Sequence, residues 1–318
     1  MEINDKIYVA GHTGMVGSAI IELLRKKGYK NIVFESHENL DLIDQVLVKS
    51  FFETNKPDYV FLAAAKVGGI HANNTLRADF IYENLMIQNN IIHASHQNMV
   101  KKLLFLGSAC IYPRETNQPI KEEYLLSDYL EPTNEPYSIA KIAGIKLCEN
   151  YFNQYGDNFI SIMPNNLYGP NDNFDLKTSH VLPALIRKFH EAKEKNINFV
   201  EIWGSGKPMR EFLHVNDMAE ACIFLINNLN AKDLYGMGIC HINAGSGDEI
   251  SIQDLALLIK EIVGYNGELK FNDKYPDGMN RKLLDIKRIT KMGWKSTIKL
   301  NDGISELYKW YKQNSNLS

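Results

Sequence analysis

Ile7-Tyr-Val-Ala10-Gly11-His-Thr-Gly14-Met-Val-Gly17 decides how this chain folds. The apolar run reads as a buried strand, the three glycines as a turn, and the residues through about Lys27 as a helix. Glycines in such a turn permit a tight reversal, let backbone N–H groups approach a diphosphate, and allow helix and strand to pack closely. The spacing G-x-x-G-x-x-G differs by one residue from the usual dinucleotide fingerprint. Its place between a first strand and a first helix nonetheless makes a dinucleotide site the expected use, with contacts from Gly11, His12, Thr13, Gly14, Met15, Val16 and Gly17.

The same alternation continues outward. Apolar β runs at 32–34, 59–62, 102–106 and 159–163 are separated by helical patterns, including 78–97 and the stretch that follows Pro136. Alternating β and α elements with short links predict an α/β fold, a Rossmann-type doubly wound parallel sheet over residues 1–165. Beyond that point loops rich in Gly, Asn and Pro separate shorter elements. Residues 166–318 are therefore expected to form a smaller α/β substrate-binding lobe, with a segment near 212–240 returning to the first domain.

Composition narrows the function. The chain has 318 residues, 45% apolar and 23% charged, with a formal charge of −3 and no long run of one sign. Nucleic acid and anionic membrane surfaces therefore find no electrostatic footprint. The polar start at Met1–Lys6 and the lack of a membrane-length apolar stretch point to a cytoplasmic protein. Cys110, Cys148, Cys222 and Cys240 have no metal-type spacing, so they read as reduced thiols and no metal is expected.

Two features carry the chemistry. Pro136 suits the first turn of a helix, and on that helix Tyr137 and Lys141 lie four residues apart on one face. The lysine charge is expected to favour the phenolate and bring the tyrosine towards proton exchange near neutrality. Ser108 falls just past the carboxyl end of the strand at 102–106, where α/β sheets place their ligands, and its hydroxyl can polarise a carbonyl oxygen. Glu35, at the end of the second strand, suits the ribose 2′-hydroxyl of NAD and repels a 2′-phosphate, although His37 could contact a phosphate. Asp41 and Leu42 would lie near the adenine edge or begin the next helix as a cap. Cys110 reads equally as a carbon base or as a small buried apolar residue.

With Gly11-x-x-Gly14-x-x-Gly17, Ser108 and Tyr137-x-x-x-Lys141 in order, the chain resembles the extended short-chain dehydrogenase/reductase superfamily. Ala63-Ala-Ala-Lys-Val-Gly-Gly-Ile70, Gly107-Ser-Ala-Cys-Ile-Tyr-Pro113, Glu131-Pro-Thr-Asn-Glu-Pro-Tyr137 and Asn166-Leu-Tyr-Gly-Pro170 narrow the likeness. So do Trp203-Gly-Ser-Gly-Lys-Pro-Met-Arg-Glu-Phe-Leu-His214, Pro276-Asp-Gly278 and Arg281-Lys-Leu-Leu-Asp285. Nearly end to end, they resemble the GDP-L-fucose synthase family. That resemblance implies GDP-4-keto-6-deoxy-D-mannose as substrate, epimerisation at C3 and C5 through enolates, and reduction of the C4 ketone by NADPH. It implies a homodimer built on two long helices.

The resemblance also assigns roles. Tyr137 is the proton donor to the C4 oxygen, Lys141 holds the nicotinamide ribose, and Ser108 polarises the same oxygen. Cys110 and His180 are the base and acid of epimerisation, and Ala109 stands where some members carry a second serine. Cofactor contacts are implied at Leu106, Gly107, Pro164, Asn165, Asn166, Leu167 and His180. Lys188, Trp203, Arg210 and Asp277 match substrate positions, with Lys188 where an arginine is expected. Thr13 and Glu35 stand where members often carry arginine, so NADPH is the cofactor implied by likeness and NAD the one implied by local charge. The nearest alternative is a 4-epimerase or 4,6-dehydratase that keeps NAD bound. A non-enzymatic dinucleotide sensor would ordinarily lack the Tyr137/Lys141 pair.

Overall fold

The central sheet follows from those apolar runs. In the computed structural model, residues 1–176, 178–275 and 277–314 are described, with the side chains of residues 70 and 71 excepted; Pro276, which opens one matched segment, lies outside them. Strands β1 (Ile7–Ala10), β2 (Ile32–Val33), β3 (Tyr59–Leu62), β4 (Lys102–Leu106) and β5 (Phe159–Pro164) occur where the sequence predicts them. β2 stops at Val33, one residue short of the predicted run, and Phe34 is left to the surface. After a three-residue β6 (Asn166–Tyr168) come β7 (Phe199–Trp203), β8 (Met209–His214) and β9 (Ile242–Ala244). The last three are β10 (Glu249–Ser251), β11 (Glu268–Asn272) and β12 (Arg281–Lys282).

Six strands form one wholly parallel sheet in the order β2-β1-β3-β4-β5-β9. Every residue of β4 and β5 is buried, as expected of strands covered on both faces. One cover is made by α1 (Met15–Lys26) with α7 (Val215–Asn228), around Ile20, Leu24, Met218 and Leu225. The other is made by α2 (Gln45–Asn55), α4 (Arg77–Gln97) and α5 (Glu135–Tyr155), around Phe52, Ile91, Phe105 and Ile145. A short α3 (Ile70–Thr75) leads into α4.

The smaller lobe has its own core. β10, β8 and β12 run side by side with β6 on β8, while β7 and β11 form a separate parallel pair. Helices α6 (Val181–Glu194), α9 (Ile252–Val263) and α11 (Leu300–Asn314) close over them around Phe189, Leu255 and Leu307. β8 pairs within this lobe, yet its Leu213 already packs into the core of the large sheet. The chain goes back to the large sheet with α7, α8 (Ala231–Gly236) and β9, and again with Ile289 of α10 (Lys287–Met292). Asp217 pins the second return: its carboxylate accepts from the Thr297 N–H and hydroxyl and from the Ile298 N–H, all at 3.0–3.1 Å. No described helix is long and apolar enough to cross a membrane.

One close approach positions the site. α5 lies against β4 because Gly144 has no side chain; a Cβ there would sit 2.5 Å from Phe105 Cζ and 2.8 Å from Gln88 Oε1. Gln88 is buried in α4 and donates to the Ala140 carbonyl at 2.6 Å, so α4 and α5 are tied at the same level. Neither neighbour can yield cheaply inside a packed core. Gly144→Ala is therefore expected to lower the unfolding free energy by about 1–3 kcal/mol, the usual cost of overpacking, against the small gain in helix propensity. Urea unfolding of the two proteins checks this, and an equal or higher midpoint for the variant would refute it.

Candidate active site

The glycine turn has the predicted geometry. Gly11 adopts φ 85°, and a Cβ there would approach Ala64 N to 2.7 Å. A Cβ on Gly17 would run into the Gly11 carbonyl oxygen, so helix and turn meet only through glycine. Gly14 caps α1 without any side-chain hydrogen bond. The first N–H groups of that helix, carried by Met15 and Val16 among others, are thus left for an anion, which is the fit a dinucleotide diphosphate requires. Thr13 is exposed beside them, and His12 stacks on Phe34 at 4.8 Å.

At the end of β2 the Glu35 carboxylate accepts from Asn39 Nδ2 at 2.9 Å and Ser36 N at 3.0 Å. Those bonds, the Asn39 amide first, hold it below the usual carboxylate range, with His12 adding to the effect. His37 is the other nearby imidazole; it is largely exposed and lies 3.8 Å from Asp41. Asp41 accepts from Ile43 N, whereas Asp44 caps α2 through Val46 N and Leu47 N. Of the two readings held for Asp41, the cap is therefore removed. The Leu42 carbonyl accepts from Asn90 Nδ2.

The carboxyl end of β4 brings the reactive groups together. Lys141 is buried and donates to the Leu106 carbonyl at 2.8 Å, with its ammonium 4.8 Å from the Phe105 ring centroid and 5.8 Å from that of Tyr137. Burial pushes its pKa down to about 8. The Tyr137 hydroxyl is hydrogen-bonded to Ser108, and its ring packs edge-on against Phe80. The expected depression of Tyr137 by Lys141 is corrected here. Burial, and then the neighbouring Cys110, raise the phenol well above its ordinary value, and Ser108 only partly offsets them. The lysine charge is engaged by a carbonyl and two ring faces, leaving the phenol as a firm holder of its proton.

Cys110 lies in the short turn Ala109–Ile111, with its backbone N–H directed at Ser108 Oγ at 3.5 Å. Its carbonyl accepts from Ser138 Oγ at 2.9 Å, which fastens this turn to α5. His180 caps α6 by position but makes no side-chain cap bond, so its imidazole is left for the cleft. His180 as a residue is exposed, yet protein packed around its imidazole, and then the Lys282 charge, lower its pKa.

Lys282 was missed by sequence reasoning. From β12 its ammonium faces Cys110, His180 and Arg210. A two-residue strand carries no periodicity, and only its pairing with β8, Lys282 opposite Arg210, brings it into the cleft.

The remaining predicted residues divide. Leu106 ends β4 and Gly107 follows it, where a Cβ would run into the Met163 side chain. Pro164, Asn165, Asn166 and Leu167 span the passage from β5 to β6 at the same end of the sheet. Asn165 is buried and donates to Glu211 Oε2 at 2.5 Å and to the Lys282 carbonyl at 3.1 Å. Arg210 donates to the Asp277 carbonyl at 3.3 Å. Lys188 faces elsewhere: it donates to the Glu201 carbonyl and lies 4.8 Å from the Trp203 ring centroid. The Asp277 carboxylate accepts from Ser205 N and Oγ.

The profile of the NAD dependent epimerase/dehydratase family matches residues 7–245. GDP-L-fucose synthase 1 of Arabidopsis thaliana is 55% identical over 97% of this chain and 94% of its own length. GDP-L-fucose synthase of Escherichia coli K12 is 52% identical over 97% of each chain. The chain belongs to the GDP-L-fucose synthase family. Among solved structures, a GDP-mannoheptose C4 reductase from Campylobacter jejuni with NADP bound superposes with a TM-score of 0.90 at 47% identity, covering 98% of this chain and 99% of that one. Family membership and geometry meet at the carboxyl end of β4, where Ser108, Cys110, Tyr137 and Lys141 converge.

A cation with a pKa of about 8 gives this site a pH signature. Lys141 loses its charge as pH rises through that value, so affinity of the free protein for a nicotinamide dinucleotide should fall between pH 7 and 9. Calorimetric titration checks this, with Lys141→Met as the reference. A profile that is flat in the natural chain, or that falls equally in the variant, would remove Lys141 from the effect.

Proposed function

We propose that this chain converts GDP-4-keto-6-deoxy-D-mannose to GDP-L-fucose by two epimerisations and one reduction, with NADPH as reductant. The observation that carries the proposal is a chain of interactions: Ser108 is hydrogen-bonded to Tyr137, Cys110 couples electrostatically to Tyr137, Lys141 and Lys282, and Lys282 couples in turn to His180. A ketone at C4 acidifies the protons at C3 and C5, because removing either spreads charge onto the C4 oxygen. The Ser108 and Tyr137 hydroxyls are the donors for that oxygen. Cys110 as thiolate takes the carbon proton, and the His180 imidazolium returns one from the other face of the ring. The lowered pKa of His180 makes its imidazolium the better acid. NADPH, when bound, supplies hydride to C4. Tyr137, which keeps its proton until an alkoxide demands it, then protonates the oxygen, and Lys141 neutralises the phenolate left behind.

Cofactor placement is supported by the uncapped start of α1 for the diphosphate and by Lys141 for the ribose. Glu35 marks where this chain departs from a phosphate-binding cation, so its preference for NADPH over NADH should be small. A second reading is favoured by the structural likeness to the heptose reductase: reduction at C4 of a GDP-heptose. The exposed side chains of Tyr82 on α4 and Ile139 on α5 support the homodimer that the family implies.

The deciding assay offers GDP-4-keto-6-deoxy-D-mannose with NADPH or NADH, follows reduced cofactor, and identifies the sugar by NMR. GDP-L-fucose is the expected product with either cofactor; turnover only of a 4-keto heptose would install the second reading. Tyr137→Phe should lower reduction by about 10²–10⁴-fold, the usual contribution of a positioned acid. Cys110→Ser should spare reduction relative to exchange of the C3 and C5 protons with heavy water, and undiminished exchange in that variant would remove Cys110 as base. Light scattering should give about twice the 36.3 kDa chain mass, and a monomer mass would reject the dimer.

A further inference from the structure

Two aromatic rings stand at the edge of the smaller lobe, Trp203 at a position where the family resemblance implies a substrate contact and Tyr275 with no place in the chemistry above. Trp203 ends β7, and Tyr275 lies in the loop after β11. They stack face to face with centroids 4.4 Å apart and planes 12° from parallel. Both are large side chains left open to solvent, at 49% and 40% exposure.

The surroundings fix how the rings can move. Trp203 belongs to a strand and pairs with Asn272 of β11, so its backbone is held by a ladder. Tyr275 is held through its loop. The Asp277 carboxylate accepts from Ser205 N at 2.6 Å and Ser205 Oγ at 2.7 Å, fastening that loop to the turn just after Trp203. Gly204 makes this possible: it has φ 84°, and a Cβ there would run into Asp277 Oδ1. Arg210 donates to the Asp277 carbonyl and also faces Lys282, so it lies between the rings and the catalytic cleft. A diphosphate held by Arg210 could therefore reach the cleft with its sugar and the rings with its base.

We propose that Trp203 and Tyr275 are the two walls of a nucleobase slot, with Tyr275 the wall that moves. Resting on the GDP-sugar reading, this adds Tyr275 as a specificity-determining residue. Two rings 4.4 Å apart leave no room for a third, whereas a base stacked on both needs roughly twice that separation. The strand keeps Trp203 in place and the fastened loop keeps the Tyr275 backbone beside it, so rotation of the Tyr275 side chain opens the stack and closes it on the far face of the base. Stacking is tolerant of base identity but grows with ring area, so the slot favours a purine over a pyrimidine.

Titrating the full chain with GDP, ADP and UDP tests this, by calorimetry and by tryptophan fluorescence. Trp203→Phe identifies the signal among the three tryptophans. Tyr275→Ala should weaken GDP binding about tenfold, and Tyr275→Phe should leave it within about twofold, since stacking needs only the ring. NADP⁺ affinity should be unchanged in both, which controls for folding. GDP binding in Tyr275→Ala that equals or exceeds the natural chain would overturn the slot and make Tyr275 a mere cover for Trp203. Failure of all three nucleotides to perturb Trp203 would overturn it as well. Tighter binding of ADP that Tyr275→Ala weakens would support the slot and reject the guanosine reading, whereas tighter binding of UDP would overturn the purine preference.

Discussion

A buried ammonium hydrogen-bonded to the last carbonyl of a central strand is the constraint on which this structure turns. Lys141 reaches Leu106 at 2.8 Å only because α5 lies close against β4, and α5 lies there because Gly144 presents no side chain to Phe105. Burying a cation is costly unless its donors are satisfied. The Leu106 carbonyl and the faces of Phe105 and Tyr137 offset that cost, and the remainder shows as a pKa lowered to about 8. The lysine sits at the edge of stability as a charge, so its protonation can respond to a polar ligand placed beside it.

The candidate catalytic groups come from segments far apart in the chain, and several of those segments are fastened by hydrogen bonds to backbone that have nothing to do with substrate. Ser138 fastens the Cys110 turn to α5, and Asn165 ties the β5–β6 passage to Glu211 and to β12. Glu211 is wholly buried without a cation in contact among the described residues; its carboxylate accepts from Asn165, from Gly247 N at 2.7 Å and from Leu284 N at 3.1 Å. Such a carboxylate joins the two lobes where the cleft opens. Rigid support of this kind keeps reactive groups in register for chemistry that demands an acid and a base on opposite faces of one ring.

Much of the fold was legible because its signals are local. The apolar runs of β1, β3, β4 and β5 need only their neighbours in sequence to be read, and the glycine turn announces the first helix. The limit of β2 was not legible, since Phe34 is apolar yet left at the surface against His12. The return to the large sheet was expected near residues 212–240, and Leu213 of β8, α7 and α8 do pack into its core, although the backbone of β8 pairs within the smaller lobe. Nothing in a strand's own composition says which of two sheets it will join.

For the site, residue types and order in the chain nominated Tyr137, Lys141 and Ser108, because proton transfer and carbonyl polarisation require particular functional groups, whereas Cys110 and His180 were nominated as base and acid by the family resemblance. Their electrostatics were not available from order alone. Four-residue spacing put Lys141 beside Tyr137 but could not show that its ammonium is taken by Leu106, so the direction of the tyrosine shift was misjudged. Lys282, facing Cys110 and Arg210, and Tyr275, stacked on Trp203, became visible only through strand pairing and loop closure. The sequence by itself determined the kinds of element and the kinds of chemistry, since both follow from side-chain identity and short-range spacing. Only tertiary structure decided which charges are buried, which are answered, and which distant residues share the cleft, because those depend on long-range packing and the dielectric it creates.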